Sequence, residues 1–111
     1  MYNYPVNIDN TPALPLRHKA WKLLSFDNLE LIRLHLDPGE SMENHINDWR
    51  IVFHVLAGSG TLDVEGDPIL LGKGQSIAVR AGVERSWSNQ GTTTLEILVI
   101  KSLNTSHEPV P

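Results

Sequence analysis

The chain has 111 residues, enough for one hydrophobic core and one domain, and its 41% hydrophobic and 20% charged residues exclude disordered, collagen-like and coiled-coil classes. Thirteen acidic residues against nine basic ones give a net charge of −4 with no Lys/Arg run to follow a phosphate backbone, so nucleic acid is not expected as a partner. Cysteine is absent, which removes disulfides, thiolate metal ligands and a cysteine nucleophile together.

Residues 1–20 contain Pro5, Pro12 and Pro15, whose fixed φ and missing N–H donors oppose regular structure, so an extended arm is expected there. The segment lacks the basic start and apolar run of a signal peptide, and no stretch approaches the roughly 20 apolar residues of a membrane span. A cytoplasmic protein with no membrane partner is expected. From Trp21 onward, short apolar runs alternate with turn residues and no window keeps a helical period, which predicts an all-β domain. The predicted strands cover residues 21–24, 29–36, 51–57, 61–65, 68–71, 75–79, 85–89 and 95–101. Turn signals separate them, among them Asp37-Pro38-Gly39, Gly58-Ser59-Gly60, Gly66-Asp67 and Gly72-Lys73-Gly74. The expected organisation is an arm at 1–20, one barrel at 21–103 and a tail at 104–111.

Eight short strands at this spacing point to a sandwich or barrel. Residues 61–65 alternate, Leu62 and Val64 against Thr61, Asp63 and Glu65, as in a strand with one dry face. Residues 95–101 are apolar on both sides, Leu95, Ile97 and Val99 against Leu98 and Ile100, and residues 51–57 behave alike. Such strands need cover on both faces, from the barrel interior on one side and from a second subunit or the N-terminal arm on the other. A homodimer is expected.

The stretch from Gly39 to Gly60 resembles the first cupin motif, G-x5-H-x-H-x3-4-E-x6-G, and the stretch from Gly74 to Asn89 resembles the second, G-x5-P-x-G-x2-H-x3-N. Gly39, His45 and Gly58 keep the spacing of the first, and Gly74, Gly82 and Asn89 that of the second. Gly58, Gly60 and Gly82 are read as turn residues with φ above zero. The resemblance implies a double-stranded β-helix, or jelly-roll barrel. It also implies one metal ion held by two histidines and a glutamate of the first motif and a histidine of the second. At those four positions this chain has His45, Asn47, Ile51 and Arg85. An amide oxygen is a poor ligand, Ile51 has no donor, and a guanidinium stays protonated and repels a cation. No metal cofactor is therefore expected; the alternative is one divalent ion on His45 with Glu43, Asp48 or His35 as substitute ligands.

Period two places His45, Asn47, Ile51 and Phe53 on one side and Arg85 and Trp87 on one side, which the resemblance implies is the barrel interior. A buried arginine needs a counter-charge. Either Glu43, Asp48 or Glu84 supplies it, or the site awaits an anionic ligand. In the second case Arg85 grips the anion, Phe53 and Trp87 form apolar walls, and His45 and Asn47 orient it by hydrogen bonds. The plain alternatives are a surface Arg85 paired with Glu84 or Glu96 after a one-residue slip, and a rim position for His45. His54 is expected to point outward, the direction of His35 stays open, and His18 and His107 are expected at the surface.

Two functions follow: a small-molecule-binding cupin that takes an acidic metabolite in a metal-free barrel, or a cupin enzyme of dioxygenase or isomerase type, metal-dependent or with acid–base chemistry from His45, Glu43 or Asp48. Ser86 and Ser88 have no base arranged for hydrolase chemistry.

Overall fold

The computed structural model describes residues 5–14 and 19–103, so His18, His107 and the 104–111 tail lie outside the described residues. Eight strands are formed: β1 (Lys19–Phe26), β2 (Leu29–Leu36), β3 (Arg50–Ala57), β4 (Ser59–Val64), β5 (Asp67–Gly72), β6 (Ser76–Val79), β7 (Arg85–Ser88) and β8 (Leu95–Ser102). All eight expected strands are present, each with boundaries within two residues of the expectation. The arm carries one short 3-10 turn, Ile8–Asn10, which Asn7 caps by accepting from the Asp9 N–H.

The strands form two antiparallel sheets, one of five strands in the order β1-β2-β8-β3-β6 and one of three in the order β5-β4-β7. A fourth, irregular partner flanks β7, because Met42 N–H donates to Trp87 O (2.8 Å), His45 N–H to Arg85 O (2.8 Å) and Arg85 N–H to His45 O (2.9 Å). Antiparallel pairing of short strands allows the two sheets to face each other with alternate residues turned inward. Ile32, Leu34 and Leu36 of β2, Ile51, Phe53 and Val55 of β3, and Leu95, Ile97 and Val99 of β8 are the buried sets. Each such side chain contributes about 1.5–3 kcal/mol by leaving water.

Turn chemistry sets the sheet register. Between β4 and β5, Glu65 (φ 50°) and Gly66 (φ 86°) form a two-residue loop with both φ values positive, the geometry whose twist matches flanking antiparallel strands. The Asp63 carboxylate tightens it by accepting from Gly66 N–H at 2.8 Å. Gly58 (φ +77°) and Gly82 (φ +80°) have the positive φ expected of them, but Gly60 does not. Gly60 is required for space: a Cβ there would lie 2.4 Å from Leu95 Cδ2. A side chain there would have to displace Leu95 and crowd Ser88 O and the Trp87 ring, each 3.2 Å from the Cβ position.

The interior is filled unevenly along the strands. At one end Leu36, Val55, Leu62, Leu95 and Ile97 have no exposed surface and close the barrel. Toward the other end, from Leu34, Phe53, Trp87 and Val99 outward, the sheets separate and leave a cavity.

Candidate functional site: a cavity with a cationic mouth

The cavity has a volume of about 530 Å³, within the range of small-molecule pockets. Its floor is apolar, formed by Leu34, Phe53, Trp87 and Val99, with Ile32 level with Val99 and Ile51 one step nearer the mouth. Phe53 and Trp87 meet edge to face, ring centroids 5.5 Å apart, across the gap between the sheets. Around the mouth stand Lys22, Glu30, Glu43, His45, Arg85 and Lys101.

All five residues expected to bind a ligand, His45, Asn47, Phe53, Arg85 and Trp87, line this one cavity. Arg85 is buried, with 5% of its surface exposed. Strand β7 turns it inward in phase with Trp87, which excludes the surface position that a one-residue slip would have produced. Glu96 cannot serve it, being engaged on the outer face with Arg33 (3.1 Å) and His35 (3.0 Å). Among the described residues the guanidinium reaches two carbonyls, His45 O and Val83 O, both at 3.4 Å. Among the described residues it forms no ion pair. Burial lowers its pKa from the usual value, although a guanidinium remains charged at neutral pH.

His45 is held beside Arg85 by the reciprocal backbone bonds of the flanking segment and stands at the exposed rim. Burial, then the charges of Arg85 and Lys101, push its pKa below the ordinary histidine value, so the ring is neutral near pH 7. Asn47 lines the cavity, but its Oδ1 already accepts from Trp49 N–H at 2.9 Å. Its NH2 group is thus what it has to offer a ligand.

His35, whose direction the sequence left open, lies on the outer face against Trp21, with ring centroids 4.6 Å apart. It is not among the cavity-lining residues. His54 also points away from the cavity and contacts Ser76 Oγ at 2.6 Å. Lys22, Glu30 and Lys101 are the residues that the sequence reading missed. The signal for Lys101 was present, since it continues the inward phase of Leu95, Ile97 and Val99.

The donor set does not fit the metal ion that the fold implies. His45 is the one conventional ligand at the motif positions, a guanidinium stands where a fourth ligand belongs, and no group of three His, Asp or Glu residues suited to a metal occurs among the described residues.

The family model of the cupin domain matches residues 32–101, which spans both motifs and the strands between them. The chain belongs to the cupin family. No curated protein matches it in sequence. Among solved structures this cupin is similar to a predicted oxalate decarboxylase from Thermotoga maritima, with 21% identity and a TM-score of 0.83 over 91% of this chain and 100% of the other. The polyketide cyclase RemF from Streptomyces resistomycificus gives 21% identity and a TM-score of 0.80 over 93% and 81% of the two chains. An RmlC-like cupin from Shewanella frigidimarina gives 18% identity and a TM-score of 0.81 over 96% and 95%. At these identities the likeness establishes the double-stranded β-helix fold, which hosts many chemistries.

Proposed function

We propose that this cupin binds a small acidic metabolite in a metal-free barrel, with Arg85 as the anchor. One observation carries the reading: a permanently charged guanidinium is buried in a cavity wall with two 3.4 Å carbonyl contacts and no ion pair among the described residues. Leaving such a charge uncompensated is costly, and an anion that accepts the fork of N–H groups removes that cost. His45 and the Asn47 NH2 group stand at the same cavity to orient it.

Thermal denaturation with carboxylates and phosphorylated metabolites tests this, because a ligand selective for the native state raises its stability. Some anion should raise the midpoint of the wild type and leave Arg85→Ala unmoved; equal shifts in both proteins sink the proposal. Metal analysis of protein purified without added metal tests the other half: near-stoichiometric Fe, Mn, Ni or Zn that disappears in His45→Ala would favour a metal-dependent enzyme. A homodimer is proposed in addition, supported by the outer row Leu31, Ile100 and Val52, which the register aligns across β2, β8 and β3 and which is only partly covered. Of the described arm, Leu14 turns to the cavity rather than to this row.

A further inference from the structure

The charges at the cavity mouth are not balanced. Lys22 and Glu30 face each other at 3.3 Å and neutralise one another. That leaves Arg85 on β7 and Lys101 on β8, one cation on each of the two facing sheets, with Glu43 exposed at the rim. Lys101 is half-buried and forms no ion pair among the described residues. Burial lowers its pKa; Glu30 opposes the shift, while Lys22 and Arg85 add to it. Lys101 lines the same cavity as Arg85, and the two charges are near enough to interact.

The polarity along the cavity has one direction. The register places Lys101 opposite Ile51 and Glu30 at the mouth, then Val99 opposite Phe53 and Ile32, then Leu34 opposite Ile97 at the floor. The floor offers aliphatic and aromatic surface, with Trp87 as its one side chain bearing a polar atom. The Trp87 Nε1–H is buried without a hydrogen-bond partner among the described residues, but it is a single donor, so a polyhydroxylated ligand pushed to that depth would lose most of its hydrogen bonds to water without replacing them. An apolar body gains by leaving water there.

We infer that Lys101 is a second anion anchor opposite Arg85 and that the ligand is an amphipathic acid, an alkyl or aryl body seated on Phe53 and Trp87 with one anionic head, carboxylate or phosphate, held at the mouth between the two cations. This deepens the proposed function and rests on its reading of Arg85.

Calorimetric titration with butanoate, hexanoate, octanoate and hexyl phosphate tests it, with succinate as a hydrophilic diacid of similar size to butanoate. Affinity should rise about threefold to fourfold per added methylene until the floor is reached, and hexanoate should bind more tightly than succinate. Lys101→Met should weaken every one of these acids by about tenfold or more without changing the dependence on chain length, and Lys101→Arg should restore most of the loss. The tighter of hexanoate and hexyl phosphate identifies the head group, and both should respond to Lys101→Met. Thermal melts of the variants confirm that each is folded. A flat chain-length series, preference for succinate, or wild-type affinity in Lys101→Met overturns the inference. If Arg85→Met loses the acids while Lys101→Met keeps them, only this inference falls. If Arg85→Met also binds as wild type does, the proposed function falls with it.

Discussion

Among the described residues, the two ends of the barrel each bury one polar or charged residue, and they treat it in opposite ways. At the closed end Asn89, 1% exposed, is fully used: its NH2 donates to Leu36 O and Thr93 O at 2.9 Å and its Oδ1 accepts from Gly91 N–H at 3.0 Å. At the open end Arg85, almost as deeply buried, has two long contacts and no ion pair among the described residues. The amide ties a loop and β2 to the end of β7 and is part of the fold. The guanidinium is held in place without being satisfied, and a buried group that the fold leaves unsatisfied marks where something else is meant to bind.

The contrast is broken most severely at the closed end. Asn89→Leu should cost about 1–3 kcal/mol, because it strands the Leu36 carbonyl in the interior and takes the side-chain partners from Thr93 O and Gly91 N–H in the exposed loop beside it. Urea denaturation measures this; a loss below about 0.5 kcal/mol would mean that the amide network is incidental. Arg85→Met should act in the other direction on the ligand-free protein, leaving stability unchanged or raising it by about 1 kcal/mol, since an apolar chain replaces an uncompensated charge, while stabilisation by anions is lost. A large destabilisation of the ligand-free variant would make Arg85 structural like Asn89, and the contrast would vanish.

Proton linkage sharpens the same comparison. Burial, the first cause in each case, lowers the pKa of both His35 and His45. The unfolded chain therefore takes up protons first as pH falls below about 6.5, the ordinary histidine value. With more protons on the unfolded chain than on the native one, stability declines as pH drops, and the decline levels off below the native pKa values. Denaturation midpoints between pH 8 and 5 should show this. In the NMR titration of His45, Arg85→Met should move the ring's pKa upward by removing a neighbouring cation. An unmoved His45 would mean that the mouth is screened by solvent and less cationic than argued.

The smallest effect concerns the outside of the barrel. Ile100→Lys, on the half-covered outer row of β8, should change the stability of the isolated protomer by about 0.5 kcal/mol or less yet shift the sedimenting species from dimer to monomer. A wild-type protein that sediments as a monomer removes the proposed homodimer.

Much of the fold was legible because its signals are local. Gly39, Gly58, Gly74, Gly82 and Asn89 hold their motif spacing, and period two assigns Leu95, Ile97 and Val99 to a single face without any knowledge of what they meet. The same logic brought His45, Asn47, Phe53, Arg85 and Trp87 to one cavity. Alternation could not say which glycine answers to a close neighbour rather than to a positive φ, and so Gly60, which lies within β4, was misread as a turn residue.

What the sequence determined by itself is the strand order along the chain, the division of each strand into two faces and the cation in place of a metal-binding imidazole. Those properties depend on neighbours one or two residues away. The tertiary structure alone decided that β2 pairs with β8 and β8 with β3, which end of the barrel is packed solid, and that Lys101, Lys22 and Glu30 share a mouth with Arg85. Period two tells a side chain which face it is on but not which end of the barrel it reaches; that follows from hydrogen-bond register between segments distant in sequence, and the charge balance of the cavity follows from the register.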